Sequence, residues 1–329
     1  MSGSSFGNIL KIQTFGESHG ISQGVVIDGV PAGILLCEED FIEDMDRRKP
    51  SNDKSSTTRK ESDTVHILSG VFDGKTTGTP IALVINNENQ NSKAYDNIKD
   101  LYRPGHGDFT YDAKYGFRDY RGGGRSSGRE TVGRVAAGVV AKKICSLVGI
   151  TFNTSFVYPE TIPENDSVGG KVFLEINNVP AGLGEPVFNK LDALLSMGIM
   201  SIGAIKAVEI GDGCKVSETL GSENNDEFIN LNGKITTRTN HCGGILAGIS
   251  TGNTINLTAY VKPVPSISLE QNTVNRLGEE EKIVITGRHD KCIVPRVAPV
   301  IEAMGALVIA DALLSNMTAK AENITKIYN

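Results

Sequence analysis

Near its start the chain places a serine and a histidine side by side in a glycine-flanked segment, Gly16-Glu17-Ser18-His19-Gly20. The segment fits G-x-S-x-G, a pattern that in many hydrolases puts a nucleophilic serine on a sharp turn between a strand and a helix. Here the following sequence, ISQGVVIDGVPAG, predicts a strand instead of a helix. Ser18 is therefore not predicted to be a nucleophile. Two interpretations of His19 remain: a surface residue on a tight hairpin, or a functional group that the turn presents.

A second segment, residues 102–134, is basic although the chain as a whole is acidic. It contains seven Arg or Lys residues against four Asp or Glu, and its sequence RGGGRSSGRET leads directly into a predicted helix. Glycines let backbone N–H groups approach a ligand, and guanidinium groups bind phosphate or carboxylate through paired hydrogen bonds. The segment lacks the patterns of a P-loop and of a dinucleotide-binding turn. It predicts an anion-binding loop, with a solvated basic loop as the alternative.

A third segment, GRHDKC at 287–292, places arginine, histidine and aspartate in a row before a predicted helix. His106 and His289, like His19, lie in turns rich in glycine or arginine, whereas His66 lies in an ordinary predicted strand. Histidine exchanges protons near neutral pH. The three segments together predict an enzyme that acts on a small substrate with several anionic groups. The residues alone do not reveal the reaction.

The elements that must position these segments alternate loosely between strands and helices. Residues 101–128 are predicted to be a long loop, and 172–198 to be a strand, a loop and a helix. Other strands are predicted at 9–15, 24–30, 64–72, 80–87, 202–213 and 254–263, and other helices at 38–49, 129–149 and 295–317. We expect one domain over residues 1–329. A faint repeat of VPAG in two places raises the weaker hypothesis of two related halves.

Composition narrows the class of protein. A net charge of −6 over 329 residues argues against nucleic acid or an anionic membrane as the main partner. The five cysteines form no C-x-x-C pair, so neither a disulfide framework nor a metal site is expected. No signal peptide is apparent, and the apolar stretch 293–314 carries three charged residues, which predicts a buried helix instead of a membrane span. These features predict a cytoplasmic protein.

Longer motifs occur in a fixed order over nearly the whole chain, among them GESHG, GVPAG, RPGHGD, YRGGGRSSGRET, VPAGLGEPVF, SIGAIKAVEIGDG, NHCGGI and GRHDKC. With these motifs the chain resembles the chorismate synthase family. The resemblance implies an α+β fold, a β-α-β sandwich with helices between two antiparallel sheets. It also implies a reaction, the 1,4-anti elimination of phosphate from 5-enolpyruvylshikimate-3-phosphate to give chorismate. That reaction requires reduced FMN without net redox change.

The resemblance also implies catalytic roles, residue by residue. His19 matches the histidine that protonates the leaving phosphate, and His106 the one that protonates the reduced flavin. Asp290 matches an aspartate that helps the flavin take the substrate proton. Ser18 becomes a hydrogen-bond donor to the substrate, so the serine of the opening motif is functional without being a nucleophile.

Binding roles follow from the same matches. The implied substrate-binding residues are Ser18, Arg48, Lys54, Arg103 and Arg129. The implied FMN-binding residues are Arg125, Ser126, Ser127, Gly203, Ala204, Ala247, Lys262, Pro263, Val264, Pro265, Ser266 and Arg288. Position 54 commonly carries arginine in the family, so Lys54 replaces a planar fork by a point charge.

The chain departs from the family pattern in a few other places. Gly107 and Gly128 stand where alanine is usual, Cys242 stands in place of alanine, and Ala247 in place of glycine. Around residues 151–172 the chain is shorter than many relatives, which predicts that a peripheral insertion is missing.

The resemblance further implies a homotetramer that needs an external source of reduced flavin. NADPH enters only if the protein reduces flavin itself, or as the substrate of a separate flavin reductase. Two other hypotheses come from the residues alone. One is a metal-free phosphatase or phosphotransferase that uses His19 or His106, and the other is an anion-binding protein without catalysis. The second would predict loss of the key acid–base residues, yet His19, His106 and Asp290 are all present.

Overall fold

The computed structural model describes residues 3–50, 61–88, 98–285 and 289–328. A first antiparallel sheet has the strand order β1-β2-β3-β7-β4. Its strands are β1 (Ser5–Phe6), β2 (Lys11–Gly16), β3 (Ser22–Asp28), β4 (Val65–Ile67) and β7 (Ile81–Asn86). Between β4 and β7 lies a small hairpin of β5 (Val71–Phe72) and β6 (Lys75–Thr76). The strands predicted at both ends of the GESHG turn are thus β2 and β3, paired in register.

A second antiparallel sheet has the strand order β10-β15-β9-β8. Its strands are β8 (Thr151–Val157), β9 (Gly170–Asn177), β10 (Ile205–Ile210) and β15 (Ile255–Val261). In β15 the alternate residues from Ile255 to Val261 are buried, which is typical of a strand with one face on the core. Three small hairpins complete the strands: β11 (Phe228–Leu231) with β12 (Lys234–Thr237), β13 (Ile245–Leu246) with β14 (Ile249–Ser250), and β16 (Gln271–Val274) with β17 (Glu280–Ile283).

Helices fill the space between the two sheets. The helices are α1 (Ile42–Arg48), α2 (Asp108–Tyr115), α3 (Thr131–Ser146), α4 (Leu191–Met200), α5 (Gly221–Asn224), α6 (Val294–Asn316) and α7 (Ala321–Tyr328). Helix α3 contacts β2, β3 and β7 of the first sheet, and α6 contacts β8 and β9 of the second. The two helices pack on each other so closely that a β-carbon on Gly138 would lie 2.3 Å from that of Ala303. The sandwich of helices between antiparallel sheets is therefore confirmed.

One hydrophobic cluster joins the layers. It contains Val25 and Leu83 from the first sheet, Leu174 from the second and Ala137 and Ile301 from the helices between them. Helix α6 is long and apolar enough to cross a membrane by length and composition alone, but 83% of its apolar window is buried inside the protein. That burial agrees with its prediction as a core helix.

The prediction of a continuous loop over 101–128 is wrong for α2, Asp108–Tyr115. This helix has little apolar periodicity to reveal it. Glycines bound it at both ends, and Gly116 takes the left-handed conformation that often ends a helix (φ 80°). Sequence reasoning also left β8 unassigned, because most of its residues are polar or exposed at the edge of the sheet.

Candidate active site

A cavity of about 1270 Å³ opens where several loops and helix ends meet. Pockets for a single drug-sized ligand usually enclose about 300–1,000 Å³, so this cavity is larger than a typical site for one small molecule. The predicted site residues that line it are Arg48, Arg103, His106, Arg125, Ser126, Ser127, Arg129, Gly203, Ala204, Lys262, Val264, Pro265, Ser266 and Asp290. Glu17 of the GESHG segment also lines the cavity, so the structure brings together residues from all three segments that the sequence singled out.

A glycine turn that lines the cavity contacts both candidate acid–base histidines; His106 lines the cavity too, and His19 is buried behind the turn. Gly122 and Gly123 have φ angles of +62° and +83°, a region that side chains disfavour. A β-carbon on Gly122 would lie 2.6 Å from His19 Nε2, and one on Gly123 would lie 2.8 Å from His106 Cε1. Ser18 is buried beside them, with Oγ 3.3 Å from the same point on Gly122. The turn therefore requires glycine and seats both imidazole rings.

An arginine and a carboxylate orient the ring of His106. Arg103 donates two hydrogen bonds to Asp108, each 2.8 Å long, from Nε and from one amino nitrogen. The Nδ1 atom of His106 lies 3.1 Å from that amino nitrogen and 3.2 Å from the Asp108 carboxylate. Burial raises the pKa of Asp108, but the hydrogen bonds from Arg103 and His106 outweigh it and hold that pKa well below its usual range. Asp108 therefore stays ionised and fixes the Nδ1 side of the ring.

A second carboxylate lies between two of the predicted substrate-binding arginines. Asp63 Oδ2 accepts a 2.5 Å hydrogen bond from Arg48, and Oδ1 accepts one from Arg129. The side chain of Asp63 is 0% exposed. Burial raises its pKa, yet the charges of Arg48 and Arg129 dominate and lower the pKa to about 2. Sequence reasoning missed Asp63, because nothing in the polar stretch before β4 marks it as distinct.

A third carboxylate, Glu130, ties the start of α3 to the first sheet. It accepts hydrogen bonds from Thr14 Oγ1 (3.2 Å) and Arg134 Nε (3.0 Å). Arg125 donates to Thr14 Oγ1 (2.7 Å), so a predicted flavin-binding arginine is anchored on β2. Arg134 reaches on to Ser201 Oγ (2.6 Å), next to the Gly203 and Ala204 wall. Glu130 and Arg134 were not predicted as site residues.

Asp290, in the third sequence segment, is connected through Arg296 to the end of α1. Arg296, in the first turn of α6, forms an ion pair with the Asp290 carboxylate through NH1. Its Nε donates a 3.2 Å hydrogen bond to the main-chain oxygen of Arg48. A single guanidinium thus connects a predicted catalytic residue with a predicted substrate-binding residue, and Arg296 also was not predicted.

Four residues of the 262–266 segment line the cavity: Lys262, Val264, Pro265 and Ser266. Lys262 Nζ donates to Gly105 O (2.6 Å), and the main-chain N–H of Lys262 donates to Ala204 O (2.9 Å). The 262–266 segment is therefore joined to both the RPGHGD loop and the Gly203–Ala204 turn. Burial lowers the pKa of Lys262, and the nearby charge of Lys206 adds to that effect.

Six predicted residues are not among those that line the cavity. Ser18, His19, Pro263 and Ala247 belong to the described residues. Ser18 and His19 are buried next to Gly122, which does line the cavity. Ala247 lies in the turn between β13 and β14, with a left-handed backbone (φ 52°) of the kind that glycine adopts more readily. Lys54 and Arg288 lie outside the described residues.

The basic segment is not a solvated loop. The side chains of Arg103, Arg118 and Arg129 are only 4–6% exposed. Each of three carboxylates, two buried and one partly buried, lies within 4 Å of two arginines: Asp63 with Arg48 and Arg129, Asp108 with Arg103 and Arg118, and Glu130 with Arg125 and Arg134. Arg118 also pairs with Asp112 at 2.5 Å, so an arginine in excess of the carboxylates remains in the Asp63 and Glu130 groups. The wall is therefore suited to a ligand with several anionic groups, next to histidines that can move protons.

Comparison with known proteins is consistent with this chemistry. A family model described as chorismate synthase matches residues 10–162 and 157–314. The chain belongs to the chorismate synthase family. It is 51% identical to the chorismate synthase of Agathobacter rectalis over 364 aligned residues, which cover 100% of this chain and 99% of that protein. The chorismate synthase of Lachnoclostridium phytofermentans is 52% identical, with 100% of both chains covered.

A solved structure extends the agreement to three dimensions. The crystal structure of a chorismate synthase matches with a TM-score of 0.74 at 27% identity, over 98% of this chain and 97% of that one. Chorismate synthases are carbon–oxygen lyases of chorismate and aromatic amino acid biosynthesis, and the family in general requires a flavin. The protein is thus an enzyme of that class.

The comparisons show that the chain is shorter than its alignments to relatives. The alignment to the A. rectalis chorismate synthase spans 364 residues, whereas this chain has 329. The two segments of the family match overlap at 157–162, at the end of β8 and before β9. The shortening around 151–172 stays a prediction. The connection between β8 and β9 contacts the cavity lining, because Ser167 Oγ donates a 2.7 Å hydrogen bond to Val264 O.

Proposed function

We propose that the protein converts 5-enolpyruvylshikimate-3-phosphate to chorismate and phosphate by a 1,4-anti elimination that requires reduced FMN without net redox change. The observation that carries the proposal is the contact of His19 and His106 with the Gly122–Gly123 turn, which lines a cavity together with His106 and several arginines. The reaction moves protons and releases a phosphate, and the turn holds one imidazole at the cavity and a second one directly behind its lining.

The substrate would bind through its two carboxylates and its phosphate. Arg48, Arg103 and Arg129 line the cavity, and each is already held in place by a buried carboxylate. Guanidinium groups that are fixed before binding lose little freedom when the anion arrives. Ser18 would add a hydroxyl donor beside His19. Lys54, outside the described residues, completes the proposed set with a point charge.

The residues present fit FMN. Gly203 lines the cavity, and a β-carbon there would meet no heavy atom within 4 Å, which leaves open space for a flat ring system. Val264, Pro265 and Ser266 add a mixed apolar and polar lining, in a segment joined to Ala204 by the main-chain hydrogen bond of Lys262. Arg125, Ser126 and Ser127 would supply donors to the phosphate, and Lys262 would supply positive charge. Pro263, Ala247 and Arg288 belong to the proposed set through the family resemblance.

When bound, reduced FMN would supply an electron to the substrate as phosphate leaves and recover it as the hydrogen on carbon 6 departs. His19 would give a proton from its imidazole to the departing phosphate. Neutral His106 would carry its proton at Nε2 when Nδ1 accepts the hydrogen bond from Arg103, and the cation would carry one at each nitrogen, with Nδ1–H donating to Asp108. Asp290, aligned by Arg296, would assist removal of the carbon 6 proton.

We propose further that the protein acts in the cytoplasm as a homotetramer. Reduced flavin would come from an external reductant or a separate flavin reductase, and NADPH would take part only through that step. This part rests on the family resemblance.

An anaerobic assay tests the proposal. Purified protein is mixed with 5-enolpyruvylshikimate-3-phosphate, with and without chemically reduced FMN, and chorismate and phosphate are followed together. Equal amounts of both products, formed only with reduced FMN, are expected. Phosphate release without flavin and without chorismate would favour a phosphatase instead, and binding without any product would favour an anion-binding protein.

A further inference from the structure

Asp63 lies between two arginines that the proposed function assigns to the substrate. We propose that Asp63 is a positioning residue, which holds Arg48 and Arg129 side by side as one clamp for an anionic group of the substrate. The inference rests on the proposed function. It assigns a role to a residue that makes the site work without touching the substrate itself.

The contacts of Asp63 place the two guanidinium groups relative to each other. One carboxylate oxygen accepts from an amino nitrogen of Arg48 and the other from an amino nitrogen of Arg129. Arg48 is the last residue of α1, and Arg129 lies just before α3. Because each oxygen serves a different arginine, the carboxylate fixes the spacing of two elements that the sequence separates widely.

The other donors of Arg129 are directed by neighbouring amide groups. Its Nε donates to Asn87 Oδ1 (3.0 Å), and its second amino nitrogen donates to Asn86 O (3.4 Å). A guanidinium has five N–H donors. Within the described part of the chain these contacts and the one to Asp63 use three of them, and Arg129 lines the cavity. Arg129 thus keeps donors for a ligand while its orientation is set from three sides.

The backbone at Asp63 is also unusual. Its φ angle is +50°, in the left-handed region that few residues other than glycine adopt, although aspartate tolerates it better than most. Such conformations persist where the surrounding contacts determine them, and they concentrate at functional sites. Together with complete burial of the side chain, this indicates that the carboxylate is held at one defined point.

Loss of the Asp63 carboxylate should change substrate binding in opposite directions, depending on whether Asp63 acts only through its charge or positions the two arginines. If Asp63 acted only as a negative charge near an anion, its removal would strengthen substrate binding. If it positions the clamp, its removal weakens binding, because the amide of asparagine presents an N–H group to one of the two guanidiniums. The direction of the change in KM therefore distinguishes a purely electrostatic role of Asp63 from a positioning role.

The experiment compares the wild type with Asp63→Asn and Asp63→Glu in the anaerobic assay, together with substrate titration by calorimetry and thermal unfolding. Asp311→Asn is the matched control. Asp311 is another buried carboxylate, which accepts hydrogen bonds from the main chain at Asn8, Ile9 and Leu10, and it does not line the cavity. The cycle of Asp63→Asn with Arg48→Ala completes the design.

We expect KM and the substrate dissociation constant to rise about 10–100-fold in Asp63→Asn, with a smaller change in kcat. The control should lower the unfolding temperature without changing KM. In the Arg48→Ala background the effect of Asp63→Asn should shrink, because one member of the clamp is already absent.

An unchanged or lowered KM in folded Asp63→Asn would overturn the inference, as would full additivity with Arg48→Ala. If Asp63→Asn does not fold, Asp63→Glu decides, since it keeps the charge but moves the carboxylate by one methylene. A wild-type KM in that variant would then overturn the inference. Failure of the wild type to form chorismate would count against the proposed function instead, so the two failures are distinguishable.

Discussion

Gly122 lies so close to the imidazole ring of His19 that a β-carbon on Gly122 would stand 2.6 Å from His19 Nε2. The backbone of Gly122 is also in the left-handed region, with φ +62°. Both facts exclude a side chain at this position without movement of the ring or of the turn. The observed position of the His19 ring therefore requires glycine at position 122, because any β-carbon there would overlap the ring.

Gly122→Ala should displace His19 and lower kcat about 100-fold, since small misplacements of a catalytic group cost that much. The measurement is steady-state turnover with reduced FMN. Gly221→Ala is the control, because a β-carbon on Gly221 would meet no heavy atom within 4 Å and its φ is not positive. Normal turnover in Gly122→Ala would show that the ring of His19 need not occupy its present place.

His19→Ala and His106→Ala should each reduce kcat about 100- to 10,000-fold, the usual range for loss of a general acid or base. Substrate affinity should change far less, because these groups act on charge that develops in the transition state. The measurement is kcat and KM together, with a calorimetric dissociation constant. A variant with near-normal kcat would remove that histidine from the proposed chemistry.

The turns that carry His19 and His106 could be predicted from the local sequence, whereas the contacts between arginines and buried carboxylates could not. Glycines on both sides of His19 and His106 predict turns whatever the rest of the chain does. Asp63 and Arg129 are 66 residues apart, and their contact depends on how the first sheet packs on α3. No local pattern encodes such a contact.

The same distinction applies to the fold. Apolar and small residues in the sequence predicted the core helices α3 and α6, and runs rich in apolar and β-branched residues predicted β2, β3 and β15. Such patterns did not reveal α2, whose ends are set by Gly107 and Gly116, or the exposed edge strand β8. The arrangement of the two sheets came only from the family resemblance, since strand order depends on long-range pairing.

Asp63 should contribute to stability in a pH-dependent way. Its pKa is lowered to about 2 from an ordinary value of 3.8, since the charges of Arg48 and Arg129 outweigh its burial. A carboxyl group whose pKa is lower in the folded than in the unfolded state stabilises the folded protein at pH values above its pKa in the unfolded state. That contribution is lost as the pH falls through its pKa in the folded state. The contribution is on the order of 2 kcal/mol.

Urea unfolding of the wild type and Asp63→Asn from pH 7 to pH 2 measures this contribution. The difference in free energy of unfolding should be constant above about pH 5 and should narrow as the pH falls toward about 2. Asp108 titrates low in both proteins and cancels in the difference. If the difference in free energy of unfolding between the two proteins did not depend on pH, the lowered pKa of Asp63 would be contradicted.

Gly128→Ala should be tolerated and slightly stabilising. The φ angle of Gly128 is not in the positive region, and a β-carbon there would meet no heavy atom within 4 Å. Where the backbone suits alanine, the substitution stabilises by about 0.4–1 kcal/mol, because the unfolded chain loses freedom. Thermal unfolding measures the gain. The paired variant Gly123→Ala should lose stability and activity, since its φ is +83° and the new carbon would lie 2.8 Å from His106 Cε1.

Arg296→Lys should separate the two contacts that Arg296 makes. The guanidinium pairs with Asp290 through NH1 and donates to the main-chain oxygen of Arg48 through Nε. A single ammonium cannot hold both at these positions. We expect kcat to fall about 10–100-fold as Asp290 loses alignment, with a smaller rise in KM through Arg48.

Arg238→Lys is the matched control for that substitution, because Arg238 forms an exposed ion pair with Glu227 and does not line the cavity. Its kcat should equal that of the wild type. The unfolding temperatures of both variants show whether a loss of activity reflects loss of fold. If folded Arg296→Lys kept the wild-type kcat and KM, neither Asp290 nor Arg48 would depend on Arg296. The connection between α6 and the substrate-binding end of α1 would then be structural alone.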